Sequence, residues 1–254
     1  MDRVCSSMGH PSSMSTMNQH SNMGRMRYLA VMGRKGGVGK TTLVAGLGWA
    51  WGAPWTVWDL DPQGSLSVAL SPAPRPATGF LPVPSIYLGV KIVPAPLDLA
   101  ALERTWEADQ LGLDEALGIL EKAEGPILFD CPPSDGVLTL AALCVADGVV
   151  IPTIADGLSS AAVPPALDLV ERVRSRRNRK LELLGVVART VRGGHGDRTL
   201  EELQEGLGSR LCKTTIPTTV SIAGPVGERT AFDPMSLGGR AFRDLAVELR
   251  RRMR

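Results

Sequence analysis

The stretch "YLAVMGRKGGVGKTTLVAGLGWAWG", residues 28–52, decides the fold. Its opening run, Tyr28 to Met32, is apolar and has the length of a buried strand. Residues 41–52 carry apolar side chains at helical spacing. The loop between them holds three glycines, Gly36, Gly37 and Gly39. A glycine loop that leaves a strand and opens a helix can curl its backbone N–H groups around an anion. The helix N-terminus at Lys40 adds its positive dipole. Two lysines, Lys35 and Lys40, stand in this loop only five positions apart. One lysine is enough to hold a phosphate, so the second needs a task of its own.

Outward from this stretch, short apolar runs alternate with longer segments of helical period. "WTVWD" (55–59), "VKIVP" (90–94), "PILFD" (126–130), "GVVIP" (148–152) and "LELLGVVA" (181–188) read as strands. Residues 113–124, 136–146, 158–175 and 197–208 read as helices. Continuous apolar strands alternating with helices predict an α/β fold, a twisted, mostly parallel sheet with helices on both faces, which together with the glycine loop resembles a P-loop NTPase. No linker splits residues 26–254, which are expected to form a single domain. Residues 71–84 carry five prolines and are expected to be an irregular surface loop. A last helix near 239–252 places Phe242, Leu245, Ala246 and Leu249 on one docking stripe. Residues 1–25 are rich in Ser, Met, Asn and Gln, hold too little apolar material to offset chain entropy, and are expected to be a disordered tail. Met26 as the true first residue is the alternative.

Composition narrows the function. A net charge of +2 over 254 residues gives no bulk attraction to nucleic acid, so such binding would need local patches. Cys5, Cys131, Cys144 and Cys212 have no CxxC spacing, which argues against a zinc site or a disulfide framework and fits a reducing cytoplasm. No apolar run approaches the roughly 18 residues of a membrane span.

The loop departs from the GxxxxGK[ST] pattern because Arg34 occupies the first glycine position; what stands instead is "KGGVGKTT" (35–42). From the residues alone, Lys40 would neutralise the β- and γ-phosphates of a nucleotide. Thr41 would offer a hydroxyl to Mg²⁺, and Thr42 would sit near the α-phosphate. This motif resembles the deviant Walker A box of the ParA family of DNA-partition ATPases, relatives of MinD. The resemblance implies that Gly36, Gly37, Val38 and Gly39 line the phosphates. It also implies that Lys35 reaches across a nucleotide-sandwich homodimer to the partner's ATP, which would account for the second lysine. "WDLDPQG" (58–64) is similar to the family's switch I segment, so Asp61 would orient the attacking water and Asp59 would lie near Mg²⁺ and Lys40. "ILFDCPPS" (127–134) is similar to its Walker B and switch II stretch, so Asp130 would hold Mg²⁺ through a water. The C-terminal block resembles the family's segment bordering the adenine, which implies a base near Arg189, Thr190 and Pro217.

By that resemblance the chain is expected to be a cytoplasmic, nucleoid-associated Mg²⁺-ATPase. It would dimerise on ATP, bind nonspecific DNA, work with a ParB-like centromere-binding partner and make no use of a membrane. One departure matters: "IPTTVSIAGP" (216–225) puts Thr218 and Ser221 where many relatives carry arginines. The cluster "RSRRNRK" (174–180), with Arg174, Arg176, Arg177 and Arg179, is the substitute candidate for DNA contact. The bland reading of the same cluster is a solvated helix end. The alternative function is a nucleotide-dependent regulatory binder with little turnover.

Overall fold

The computed structural model describes residues 26–85, 90–109, 111–190, 194–218 and 236–253. The expectations for residues 1–25 and for Ser221 fall outside them. The elements run β1 (Tyr28–Val31), α1 (Lys40–Trp51), β2 (Thr56–Asp59), α2 (Ser65–Leu70), β3 (Val83–Pro84) and β4 (Lys91–Val93). There follow α3 (Leu99–Ala108), α4 (Gly112–Leu120), β5 (Ile127–Asp130), α5 (Val137–Val145) and β6 (Gly148–Ile154). The chain continues through α6 (Gly157–Ser160), α7 (Val163–Arg176), β7 (Glu182–Thr190), α8 (Gly194–Leu207), β8 (Ile216–Pro217) and α9 (Leu237–Arg252).

Within these residues the strands make one eight-stranded sheet in the order β3-β4-β2-β5-β1-β6-β7-β8, parallel throughout except for β3. Both neighbours of β1 come from distant sequence: Tyr28 to Val31 pairs with Ile127 to Asp130 on one side, and Leu29 to Val31 with Gly148 to Val150 on the other. Because strand side chains alternate, Leu29 and Val31 face one layer and Ala30 and Met32 the other. The first layer holds Leu43, Val44 and Leu47 of α1 with Phe242, Leu245 and Leu249 of α9. The second holds α5 and α7, including Leu138, Ala166 and Val170. Both faces are therefore covered, as a parallel sheet of continuous apolar strands requires. The C-terminal stripe docks as its spacing predicts, with Phe242, Leu245 and Leu249 fully buried.

Two expectations need correction. The proline-rich segment 71–84 is not wholly irregular, because Val83 and Pro84 pair antiparallel with Ile92 and Lys91. Proline lacks an N–H and is tolerated there because β3 is the edge strand, with no further strand beyond it among the described residues. The helix expected over 158–175 is broken into α6 and α7. Pro164 and Pro165 sit in the first turn of α7, where missing N–H groups cost nothing, so the helix restarts there instead of running through.

Candidate functional site

The loop after β1 leaves the C-terminal edge at the centre of the sheet, between the ends of β5 and β6. Gly37 and Gly39 take φ of 76° and 97°, left-handed values that favour glycine. At Gly39 space is short as well: a Cβ there would lie 2.7 Å from the Arg189 side chain. Val38 points inward and is buried, anchoring the loop between its glycines. Lys40 is buried too, and its Nζ donates to the Lys35 carbonyl at 3.4 Å. Burial pushes its ammonium below the ordinary lysine value, while the Asp130 and Asp61 carboxylates oppose that shift.

Asp130 ends β5 and is 1% exposed. The Thr41 hydroxyl lies beside it without closing a hydrogen bond of ordinary geometry, and neither carboxylate oxygen has a partner. Burial drives its carboxyl well above the usual range, and the nearby Asp59 charge adds to this. A buried carboxylate with both oxygens orphaned is costly unless a cation meets it. The pair Asp130 and Thr41 is a hard-oxygen donor set that fits Mg²⁺. Among the described residues no three His, Cys, Asp or Glu cluster around a metal, so such an ion would take its remaining ligands from phosphate and water.

Asp59 ends β2, fully buried, and is occupied differently. Its Oδ2 accepts from the Ser67 N–H at 2.7 Å and the Ser67 hydroxyl at 2.6 Å, and its Oδ1 accepts from the Asp61 N–H at 3.1 Å. Burial pushes its carboxyl up to about 6 against the Ser67 hydrogen bonds. Asp59 thus ties both ends of the 60–67 segment to the sheet. Asp61, half-exposed in that segment, accepts from the Gln63 N–H at 2.9 Å through its side chain and from the Gly64 N–H at 2.8 Å through its carbonyl. One of those turns folds its Oδ1 back onto the Gln63 backbone inside the segment that Asp59 holds.

The second lysine points away from the first. Lys35 Nζ donates to the Ser159 hydroxyl at 3.0 Å, across the loop at α6. Ser159 is held by Asp156, which accepts from both its N–H at 2.5 Å and its hydroxyl at 3.0 Å. Arg189, Thr190 and Pro217 come together: Arg189 pairs with Ile216 and Thr190 with Pro217 in parallel register. Arg189 also donates to the Thr218 carbonyl at 3.1 Å and lines a cavity of about 10 Å³ with Gly39, Thr42 and Phe242.

The arginine cluster lies elsewhere. Arg176, Arg177 and Arg179 border a cleft of about 610 Å³ with Arg27 and Lys180, at the ends where β1 and β6 begin. Arg174 is paired with Glu171 at 3.0 Å on the exposed face of α7. The cluster and the glycine loop therefore occupy opposite edges of the sheet. Sequence reading missed Ser67, Asp156, Ser159 and Arg75. Ser67, Ser159 and Arg75 gain their contacts from segments remote in sequence, whereas Asp156 caps Ser159 only three residues on.

Comparison with known proteins adds to this geometry. A family described as an AAA domain matches residues 83–183. The chromosome-partitioning ATPase Soj of Thermus thermophilus is 32% identical, over 90% of this chain and 97% of its own length. The chromosome partitioning protein ParA of Caulobacter vibrioides is 31% identical, over 88% of this chain and 94% of its own. Among solved structures, cobyrinic acid a,c-diamide synthase of Mycobacterium smegmatis with bound ATP analogue and magnesium superposes with a TM-score of 0.72. It is 28% identical, covering 87% of this chain and 93% of its own.

Proposed function

This chain belongs to the ParA/Soj family of chromosome-partitioning proteins, and on that premise we propose that it is a Mg²⁺-dependent ATPase that dimerises on ATP and is reset by hydrolysis. One observation carries this reading: the orphaned Asp130 carboxylate beside Thr41, at the mouth of a glycine loop whose Lys40 is buried. ATP and Mg²⁺ are the cofactors. Gly36 to Gly39 and Thr42 hold the phosphates through backbone N–H groups, Lys40 offsets the β/γ charge, and Thr41 with Asp130 holds the metal. When bound, Mg²⁺ would supply charge neutralisation to the phosphates. Asp61 orients the attacking water, and Asp59 keeps the Asp61 segment in place. Arg189, Thr190 and Pro217 border the base.

In this reading Lys35 exchanges its Ser159 contact for the phosphates of the partner's ATP. The ATP-bound dimer contacts nonspecific DNA through Arg174, Arg176, Arg177 and Arg179, and a ParB-like protein stimulates turnover. Such a protein works in the cytoplasm on the nucleoid. No helix among the described residues is long and apolar enough to cross a membrane.

Asp61→Ala tests the chemistry. It removes water positioning but no phosphate contact, so ATP affinity by calorimetry should stay within about twofold while hydrolysis falls at least 100-fold. Hydrolysis at the wild-type rate would remove Asp61 from the mechanism. Absence of turnover in the wild-type protein, with DNA present, would favour a regulatory binder.

A further inference from the structure

We propose that Arg75, in the proline-rich segment, is a positioning residue that sets the switch carrying Asp61. The role rests on the ATPase reading for its catalytic consequence but not for its geometry. Arg75 is half-buried, and its guanidinium donates to four backbone carbonyls. Nε donates to Ala95 at 2.7 Å, Nη1 to Gln63 at 3.2 Å, and Nη2 to Pro62 at 2.9 Å and Pro96 at 3.0 Å. Two of these carbonyls follow Asp61 directly, and two lie just beyond the end of β4. One planar group therefore bridges the switch to the sheet edge beside it.

The bridge closes a circuit. The Ala95 N–H donates to the Ser67 hydroxyl at 2.9 Å, and that hydroxyl donates to Asp59. The backbone of Ala95 thus joins Asp59 on one side, through Ser67, to the carbonyls after Asp61 on the other, through Arg75. Residues 62–64 are held at both ends, with Asp61 at the point where the two restraints meet. Gly64 is shaped to this contact. It has φ of 68°, and a Cβ there would lie 2.5 Å from the guanidinium carbon. Lysine would replace the fork only in part, because three donors on one nitrogen cannot serve the four carbonyls that the spread guanidinium reaches. The direction of restraint matters because a misplacement of about 1 Å at a positioned catalytic group costs roughly 100-fold in rate.

Arg75→Ala and Arg75→Lys should be compared with wild type by steady-state hydrolysis, ATP binding, and hydrogen–deuterium exchange without nucleotide. The expected result for Arg75→Ala is a fall in kcat of about tenfold or more, with KM and ATP affinity within about twofold. Exchange should accelerate at Gln63 and Gly64 and stay unchanged in β2. Arg75→Lys should recover only part of kcat. Unchanged exchange at Gln63 and Gly64 in Arg75→Ala would overturn the proposal whether or not the wild type hydrolyses ATP. Accelerated exchange with undiminished kcat would overturn its catalytic part. A wild type without turnover would instead remove the ATPase reading and leave exchange to decide the restraint.

Discussion

Asp130 and Lys40 share one burial problem and solve it only with a ligand. Each is removed from water, and their mutual attraction leaves both Asp130 oxygens without a hydrogen bond. On the proposed reading, a site that receives a cation and a polyphosphate is a weak point of the ligand-free protein. Asp130→Asn removes a desolvated carboxyl whose repulsion by Asp59 exceeds its attraction to Lys40, and should raise the melting temperature of nucleotide-free protein by about 2–4 °C, the shift that roughly 1 kcal/mol produces at this size. The same variant should lose most of the further rise that wild type shows with ATP and Mg²⁺. Scanning calorimetry with ATP, with and without Mg²⁺, checks both halves; a lowered melting temperature of the free protein would contradict the first. Lys40, Thr41, Asp61 and Asp130 were legible as candidates in the sequence because their motifs are short and local. Ser67 and Arg75 were not, because a serine in a helix and an arginine among prolines acquire meaning only when strands β2 and β4 pair.

At the scale of elements, α1 joins the phosphate loop to the C-terminal helix. Gly46, mid-helix, faces Phe242 of α9: a Cβ built on it would lie 2.2 Å from the ring. The ring is fully buried. Alanine in place of glycine gains about 1 kcal/mol in helix propensity, but overpacking a dense core costs about 1–3 kcal/mol. A clash this short puts the cost at the upper end, so overpacking wins. Gly46→Ala should therefore lower stability by about 1–2 kcal/mol in urea unfolding, and Gly46→Ala with Phe242→Leu should recover part of it. A more stable single variant would show that the helices separate easily. The amphipathic stripe of α9 was readable from spacing alone, whereas its seat on Gly46 was not, since a mid-helix glycine signals only a local cost.

For the whole molecule, the two edges of the sheet divide the work. The glycine loop, Asp61 and Asp130 lie at the C-terminal edge, and the arginine cleft lies at the other. A dimer joined through the loops would carry its two arginine clefts at distant ends, so one short duplex could not bridge them. Replacing Arg174, Arg176, Arg177 and Arg179 by alanine should weaken ATP-dependent binding to long duplexes and flatten its salt dependence, since about four phosphate contacts per subunit are lost. ATP-dependent dimerisation, followed by light scattering, should persist in this variant and fail in Lys35→Ala. Wild-type DNA affinity in the quadruple variant would move the DNA surface elsewhere. The sequence by itself determined the layer architecture, the phosphate loop and the docking stripe, because hydrophobic period and glycine placement act over neighbouring residues. Only the tertiary structure decided which strands flank β1, where Lys35 rests, which carbonyls Arg75 reaches, and that the basic cleft faces away from the loop. Those facts depend on pairings between segments tens of residues apart, which no local pattern encodes.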